Sequence, residues 1–160
     1  MITDASGEGP LVLLLSGPNL SLLGEREPEV YGTATLAELA SRAALAAQRA
    51  GGRLEHLQSD VEADLVRAVH MARGRAAAVI VNAGALSHYS WALRDALASF
   101  EGAVVELHLS NPLARETWRH RSVLAPVADG CVSGFGALGY ELAVEAAFRL
   151  LADRARTRTT

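Results

Sequence analysis

The chain has 160 residues, half of them apolar, with 15 basic and 18 acidic side chains and a net charge of −3. That composition suits a single domain with one sizeable core and, lacking a basic stripe, excludes nucleic acid as an expected partner. No apolar run reaches the roughly 18 residues of a bilayer span and the N-terminus lacks a signal-peptide pattern, so a cytoplasmic protein with no membrane partner is expected.

Two residue types narrow the chemistry further. All 15 basic residues are Arg. Without a Lys, Schiff-base catalysis, a pyridoxal-phosphate attachment and a Walker lysine are excluded. The single Cys131 cannot form an internal disulfide and, among small residues in "GCVSG", is expected to be a buried, inert thiol.

In chain order, residues 1–10 read as a disordered lead-in, and Leu11–Ser16 as a strand buried on both faces. A long crossover, "GPNLSLLGEREPEVYG" (Gly17–Gly32), follows. Thr35 caps a helix running to about Ala50, stopped by Gly51 and Gly52. Arg53–Ser59 is a second strand, Val61–Gly74 an amphipathic helix and Ala76–Gly84 a third strand. Ser87 is expected to cap a helix over Tyr89–Phe100. Ala103–Ser110 is a fourth strand, and a fifth lies near Val123–Ser133, interrupted by Pro126. A last helix spans about Leu138–Asp153, with residues 154–160 frayed. This alternation predicts a five-stranded parallel α/β sheet with helices on both faces. Ligands of such sheets bind beyond the carboxyl ends of the strands, which selects Gly17–Gly32, Asn82–Ser90 and His108–Arg119.

Several motifs in those segments carry little. "GFGALG" (Gly134–Gly139) has dinucleotide-loop spacing, but the chain ends one helix later with no acidic residue about 20 positions on. The five His residues form no metal site by spacing. His56 and His70 read as structural and His120 as solvated, whereas His88 and His108 fall at strand ends.

Alternation along "VVELHLSN" puts Glu106, His108 and Ser110 on one side, and a carboxylate so placed can orient an imidazole as a general acid requires. In the long crossover, Arg26 lies five positions before Tyr31. A free phenol of pKa about 10 is ionised only to about 0.3% near pH 7.5, and a guanidinium can lower such a value by roughly one to three units. An Arg–Tyr pair on a lid could thus supply a base on closure. Arg115 and Arg119, at i and i+4, read as an anion clamp on one helical face, set against a solvated basic edge. These residues point to a site for a small, hydroxylated anion flanked by acid–base groups. A flavin module would need a Ser/Thr/Gly-rich phosphate loop and flanking aromatics, and "GPNLSLLG" is not such a loop.

Five blocks in order, "GPNLSLLGEREPEVYG", "QSDVEADLVRAVH", "NAGALSHYSWALRDAL", "ELHLSNPLARETWRHRS" and "GFGALGYELAVEAA", resemble the type II 3-dehydroquinate dehydratases over nearly all of Leu11–Ala147. The resemblance implies a flavodoxin-like three-layer fold and a lyase that converts 3-dehydroquinate to 3-dehydroshikimate with neither metal nor cofactor. It implies Tyr31 as the base beside the ketone, Arg26 as its partner on the lid, and Asn19 as the holder of a water that stabilises the enolate. His108, oriented by Glu106, would protonate the leaving hydroxyl. Asn82, His88, Ser110, Arg119 and the Leu109 N–H would bind hydroxyls and carboxylate. Asp95 would reach a neighbouring subunit's site in a homododecamer, a tetramer of trimers. The departures from the family pattern are Ser21, Tyr89 and Pro112, the last two expected beside the pocket. Trp91 and Trp118 are expected in an interface or the core.

Overall fold

In the computed structural model, which describes residues 9–25 and 32–157, Leu11–Ser16 forms β1 and is buried along its full length. The other strands are β2 (Arg53–Gln58), β3 (Ala78–Asn82), β4 (Ala103–His108) and β5 (Gly130–Ser133). All pair in parallel in the order β2-β1-β3-β4-β5, the flavodoxin-like doubly wound arrangement. Four helices cover the sheet: α1 (Leu36–Arg49), α2 (Glu62–Ala72), α3 (Trp91–Ala98) and α4 (Leu138–Thr157).

The three layers follow from the period of two along each strand. Leu11, Leu13 and Leu15 of β1 and Val79 and Val81 of β3 face one way, into a core completed by Leu65 and Val69 of α2 and Leu93 and Leu97 of α3. Val12, Leu14, Ile80, Val105 and Leu107 face the other way, against Leu39 and Ala43 of α1 and Tyr140 and Val144 of α4. Both faces are covered, so the strands read as unbroken apolar runs rather than alternating ones.

Thr35 caps α1 as expected, in a reciprocal box: its hydroxyl accepts from the Glu38 N–H at 3.3 Å while its own N–H donates to the Glu38 carboxylate at 2.8 Å. Three boundaries differ from expectation. Ser87 is not the cap of α3; Gly84–His88 forms a 3-10 turn, and Ser90 caps by accepting from the Leu93 N–H at 3.0 Å. The fifth strand keeps only Gly130–Ser133, because Pro126 lies in a separate 3-10 turn, Ala125–Val127, and can donate no ladder bond. The last helix continues to Thr157. Arg154 reaches Asp129 at 2.6 Å and the Glu101 carbonyl at 3.3 Å, and Thr157 bonds back to the Asp153 carbonyl. At the other end Pro10 is ordered by accepting from the Arg53 N–H at 3.1 Å; residues 1–8 and 158–160 lie outside the described residues.

β1 and β3 stay together one step past their last paired residues. Ser16 is in register with Asn82, and the Gly17 N–H donates to the Asn82 carbonyl at 2.8 Å. A Cβ on Gly17 would stand 2.5 Å from the Ala83 carbonyl oxygen and 2.7 Å from its carbon, both backbone atoms with no room to yield. Gly17→Ala should therefore lower stability by about 1–3 kcal/mol, which thermal unfolding would register as a fall of about 2–4 °C per kcal/mol. An unchanged Tm would contradict this account of the contact.

Candidate active site

A polar cleft opens beyond the ends of β1, β3 and β4. Pro18, Asn19 and Leu23 from the first crossover form one wall, Asn82, Gly84 and His88 the floor, and His108, Leu109, Ser110, Pro112, Arg115 and Arg119 the far wall. β1 and β3 are the pair at which the strand order reverses, where this topology leaves a crevice.

Asn19 is the sole non-glycine residue with positive φ (65°) among the described residues. Asparagine tolerates this left-handed conformation better than most residues. The bend is held from outside the loop: the Asn19 N–H donates to Asp60 Oδ1 at 2.8 Å, and Gln58 Nε2 donates to the same oxygen at 3.1 Å. Residues just past β2 therefore set the backbone of the cleft wall. Asn82 is 3% exposed. Its Nδ2 donates to the Tyr140 hydroxyl at 3.3 Å, and its Oδ1 accepts from the Gly84 N–H at 3.4 Å. Tyr140 in turn bonds with Ser16, whose hydroxyl lies 3.0 Å from His56 Nε2. Burial pushes the Tyr140 phenol up to about 12, so it stays neutral and serves only as a hydrogen-bonding post.

Glu106 is fully buried and His108 sits two residues further along the same face of β4. His108 Nε2 lies 2.9 Å from Glu106 Oε1, so the imidazole donates there and turns Nδ1 toward the cleft. Ser122 donates to the same carboxylate oxygen at 2.6 Å. His88 is oriented differently. Its Nδ1 lies 2.7 Å from the Arg121 carbonyl, which can only accept, so Nδ1 carries the proton and Nε2 presents a lone pair. Desolvation, with lesser contributions from His108 and Arg119, holds His88 below the ordinary histidine value, so it is a neutral acceptor near pH 7. The rings of His88 and His108 lie nearly parallel with centroids 6.3 Å apart, and Trp118 meets His88 edge-on at 5.3 Å.

Arg115 and Arg119 both border the cleft, but not as one helical face. Two short 3-10 turns, Pro112–Ala114 and Thr117–Arg119, interrupt the segment. They converge instead on Glu116, whose Oε2 lies 2.8 Å from Arg119 Nε and 3.5 Å from Arg115 Nε. The Arg119 guanidinium also lies 4.0 Å from the centre of the Trp118 ring, which fixes its plane.

Of the residues expected at the site, Asn19, Asn82, His88, His108, Leu109, Ser110 and Arg119 line one cleft, with Glu106 directly behind His108. Arg26 and Tyr31 lie outside the described residues. Asp95 is not at this chain's cleft: it sits on α3, its side chain 75% exposed and paired with Arg94 at 3.0 Å. Pro112 lines the cleft, but Tyr89 is solvent-exposed and is not among the lining residues. Trp91 and Trp118 are half-exposed rather than part of the core. His70 is exposed, not packed among apolar neighbours, and His120 is exposed as expected. Cys131 is exposed rather than buried, though desolvation and the Glu106 charge push its thiol up to about 11, which disfavours a nucleophilic thiolate. The "GFGALG" glycines make a turn and a close helix contact, with Gly139 packed on Leu107.

Sequence reasoning missed Ser122, Asp60 and Tyr140. Each acts through another residue from a distant part of the chain, and only the quoted blocks around "QSD", "RHRS" and "GALGY" carried any trace of them.

The assignment for His88 is open to direct measurement. Its imidazole should titrate below about 6.5, with the Nδ1–H tautomer above the midpoint, as read by ¹H–¹⁵N correlation spectra. His56 is shifted down by desolvation as well. A histidine depressed in the folded state takes its proton more readily when unfolded. These two should therefore cost no stability above about pH 6.5 and should erode it as pH falls below that value, a trend visible in denaturant midpoints.

Comparison with known proteins agrees with this geometry. Residues 10–148 match the family described as Dehydroquinase class II. A 3-dehydroquinate dehydratase from Bacillus licheniformis is 51% identical over 135 residues, covering 84% of this chain and 93% of that protein. The 3-dehydroquinate dehydratase 2 of Pseudomonas aeruginosa is 51% identical over 134 residues, covering 84% and 90%. The crystal structure of type II dehydroquinase from Propionibacterium acnes superposes with a TM-score of 0.84 at 39% identity, covering 88% of this chain and 97% of that one. With its cleft at the β1/β3 switch and this match along most of its length, the chain belongs to the class II dehydroquinase family.

Proposed function

We propose that this enzyme dehydrates 3-dehydroquinate to 3-dehydroshikimate by anti elimination through an enolate, as a step of the shikimate pathway. The observation that carries the reading is the pairing, in one cleft, of a histidine donating to a buried carboxylate with a second histidine fixed as a neutral acceptor. An elimination needs a base at the carbon beside the ketone, stabilisation of the enolate oxygen, and an acid for the departing hydroxyl. Tyr31, partnered by Arg26 on the lid, is assigned as the base. Asn19 positions the water that stabilises the enolate. His108, held by Glu106, delivers the proton that lets hydroxide leave as water.

Substrate binding is assigned to the rest of the cleft. His88 Nε2 accepts from a ring hydroxyl, Asn82 and Ser110 bond to hydroxyls, and Arg119 with the Leu109 N–H takes the carboxylate. Neither a metal nor an organic cofactor enters this scheme. Asp95, outward-facing on α3, is assigned to a neighbouring subunit's site in a homododecamer, for which light scattering should give twelve times the chain mass. Among the described residues no helix is long and apolar enough to cross a membrane. The enzyme is assigned to the cytoplasm.

Formation of the conjugated enone can be followed by absorbance. Tyr31→Phe and His108→Asn should each lower kcat by about 10²–10⁴-fold, the range for loss of a general base or acid, with the fold intact by circular dichroism. Borohydride should trap no adduct, because the chain has no amine side chain to form one. Full activity in Tyr31→Phe would refute the proposed base.

A further inference from the structure

Glu106 has a second carboxylate oxygen that the proposed mechanism does not use. Oε1 accepts from His108 and Ser122, whereas Oε2 is buried with no hydrogen-bond partner. Buried carboxylate oxygens are rarely left so. Near this carboxylate stands a thiol. β4 and β5 run parallel with Glu106 in register with Cys131, so the two side chains share a face of the sheet, and His108 joins them two residues on. One ligating atom from each of Glu106, His108 and Cys131 lies within 4.8 Å of the other two.

We propose that these three side chains form an inhibitory binding site for a thiophilic divalent cation, with Zn²⁺ as the best match. The donor set is one oxygen, one imidazole nitrogen and one sulfur. Zinc takes that mixture at about 2.0–2.3 Å in tetrahedral geometry, which places ligand atoms roughly 3.4–3.7 Å apart. The three ligand atoms already lie within 4.8 Å of one another, about an ångström beyond that spacing. Mg²⁺ and Ca²⁺ prefer oxygen ligands and would not compete for a thiolate. Cys131 is exposed on the outermost strand, so an ion can enter from that edge while Glu106 stays buried.

Coordination is balanced as follows. The Cys131 thiol proton leaves to solvent as the S–Zn bond forms, and the proton that His108 Nε2 shares with Glu106 moves to Nδ1. Glu106 Oε2 supplies the third ligand, and a water fills the fourth position. No electron changes hands. The ion thereby occupies both groups assigned to the acid step, and the complex is a dead end for turnover.

The inhibition arm rests on the proposed dehydratase reading, so the test includes a measurement that needs no turnover. Co²⁺, a spectroscopic stand-in for zinc, should give a thiolate-to-metal charge-transfer band with the wild-type protein and none with Cys131→Ala or Cys131→Ser. Zn²⁺ should inhibit dehydration, with chelator restoring the rate. The Cys131 variants should keep metal-free activity and need at least about tenfold more Zn²⁺ for half-inhibition, since removing even an outer support of a metal site costs 10–100-fold in affinity. Absence of the charge-transfer band in the wild type, or equal Zn²⁺ inhibition of wild type and variants, would overturn the site. A protein that shows the band but no dehydratase activity would leave the site standing and overturn the proposed function instead.

Discussion

The close approach of Gly17 to Asn82 and Ala83 is the constraint from which the cleft follows. β1 leads into α1, which packs on the sheet face shared with α4, while β3 leads into α3 on the opposite face. At the point where the Gly17 N–H meets the Asn82 carbonyl, the two chains must turn away from each other. A gap opens there by topology, and no rearrangement of side chains closes it. Strand ends at such a gap have backbone groups without ladder partners, and polar side chains gather to satisfy them. Asn82 bridges Gly84 and Tyr140, and Asp60 takes the Asn19 N–H. The groups available to a ligand are therefore those that the fold already needed at its least regular place.

Within that gap, two identical side chains are made chemically unlike by their second nitrogen. His88 spends Nδ1–H on the Arg121 carbonyl, a neutral acceptor, and is left with an acceptor facing the cleft. His108 spends Nε2–H on a carboxylate, so its partner is a charged acceptor rather than a peptide carbonyl. Their rings lie nearly parallel, and His108 adds a small coulombic contribution to the desolvation that keeps His88 neutral. In the proposed reaction these would be the acceptor that recognises one hydroxyl and the acid that expels another.

Much of this was legible in residue order, for reasons that differ by element. β1 and β3 announced themselves because burial on both faces removes alternation, leaving runs such as Leu11–Leu15 and Ala78–Val81. Thr35 and Glu38 fit a local capping code that needs no tertiary information. Ser87 misled because it and Ser90 both precede the same apolar helix, and only the 3-10 turn of Gly84–His88 decides between them. The Glu106–His108 pair was readable from a period of two, whereas Ser122, which completes it, arrives from 16 residues away along an irregular segment. Arg115 and Arg119 were rightly placed at the cleft but wrongly on one helix, because Glu116 and Pro112 break the segment into turns. Cys131 shows the limit of composition. Small neighbours suggested burial, yet the shortness of β5 and its position at the sheet edge leave the thiol exposed.

The treatment of Glu106 ties stability to chemistry. Taking a carboxylate out of water costs on the order of several kcal/mol even in a relaxed protein interior. Two donors on one oxygen and none on the other recover that cost only in part. Folding alone would favour an apolar residue between Val105 and Leu107, both of which pack in the core. What the charge provides is a fixed orientation for His108 at the cleft wall, the side chain assigned to the acid step in the proposed mechanism. A carboxylate short of partners also attracts whatever cation can reach it. Neighbouring Cys131, within reach of solvent, gives a soft metal the additional ligand that Glu106 and His108 alone would lack. Susceptibility to such an ion is thus a consequence of burying the charge that orients His108.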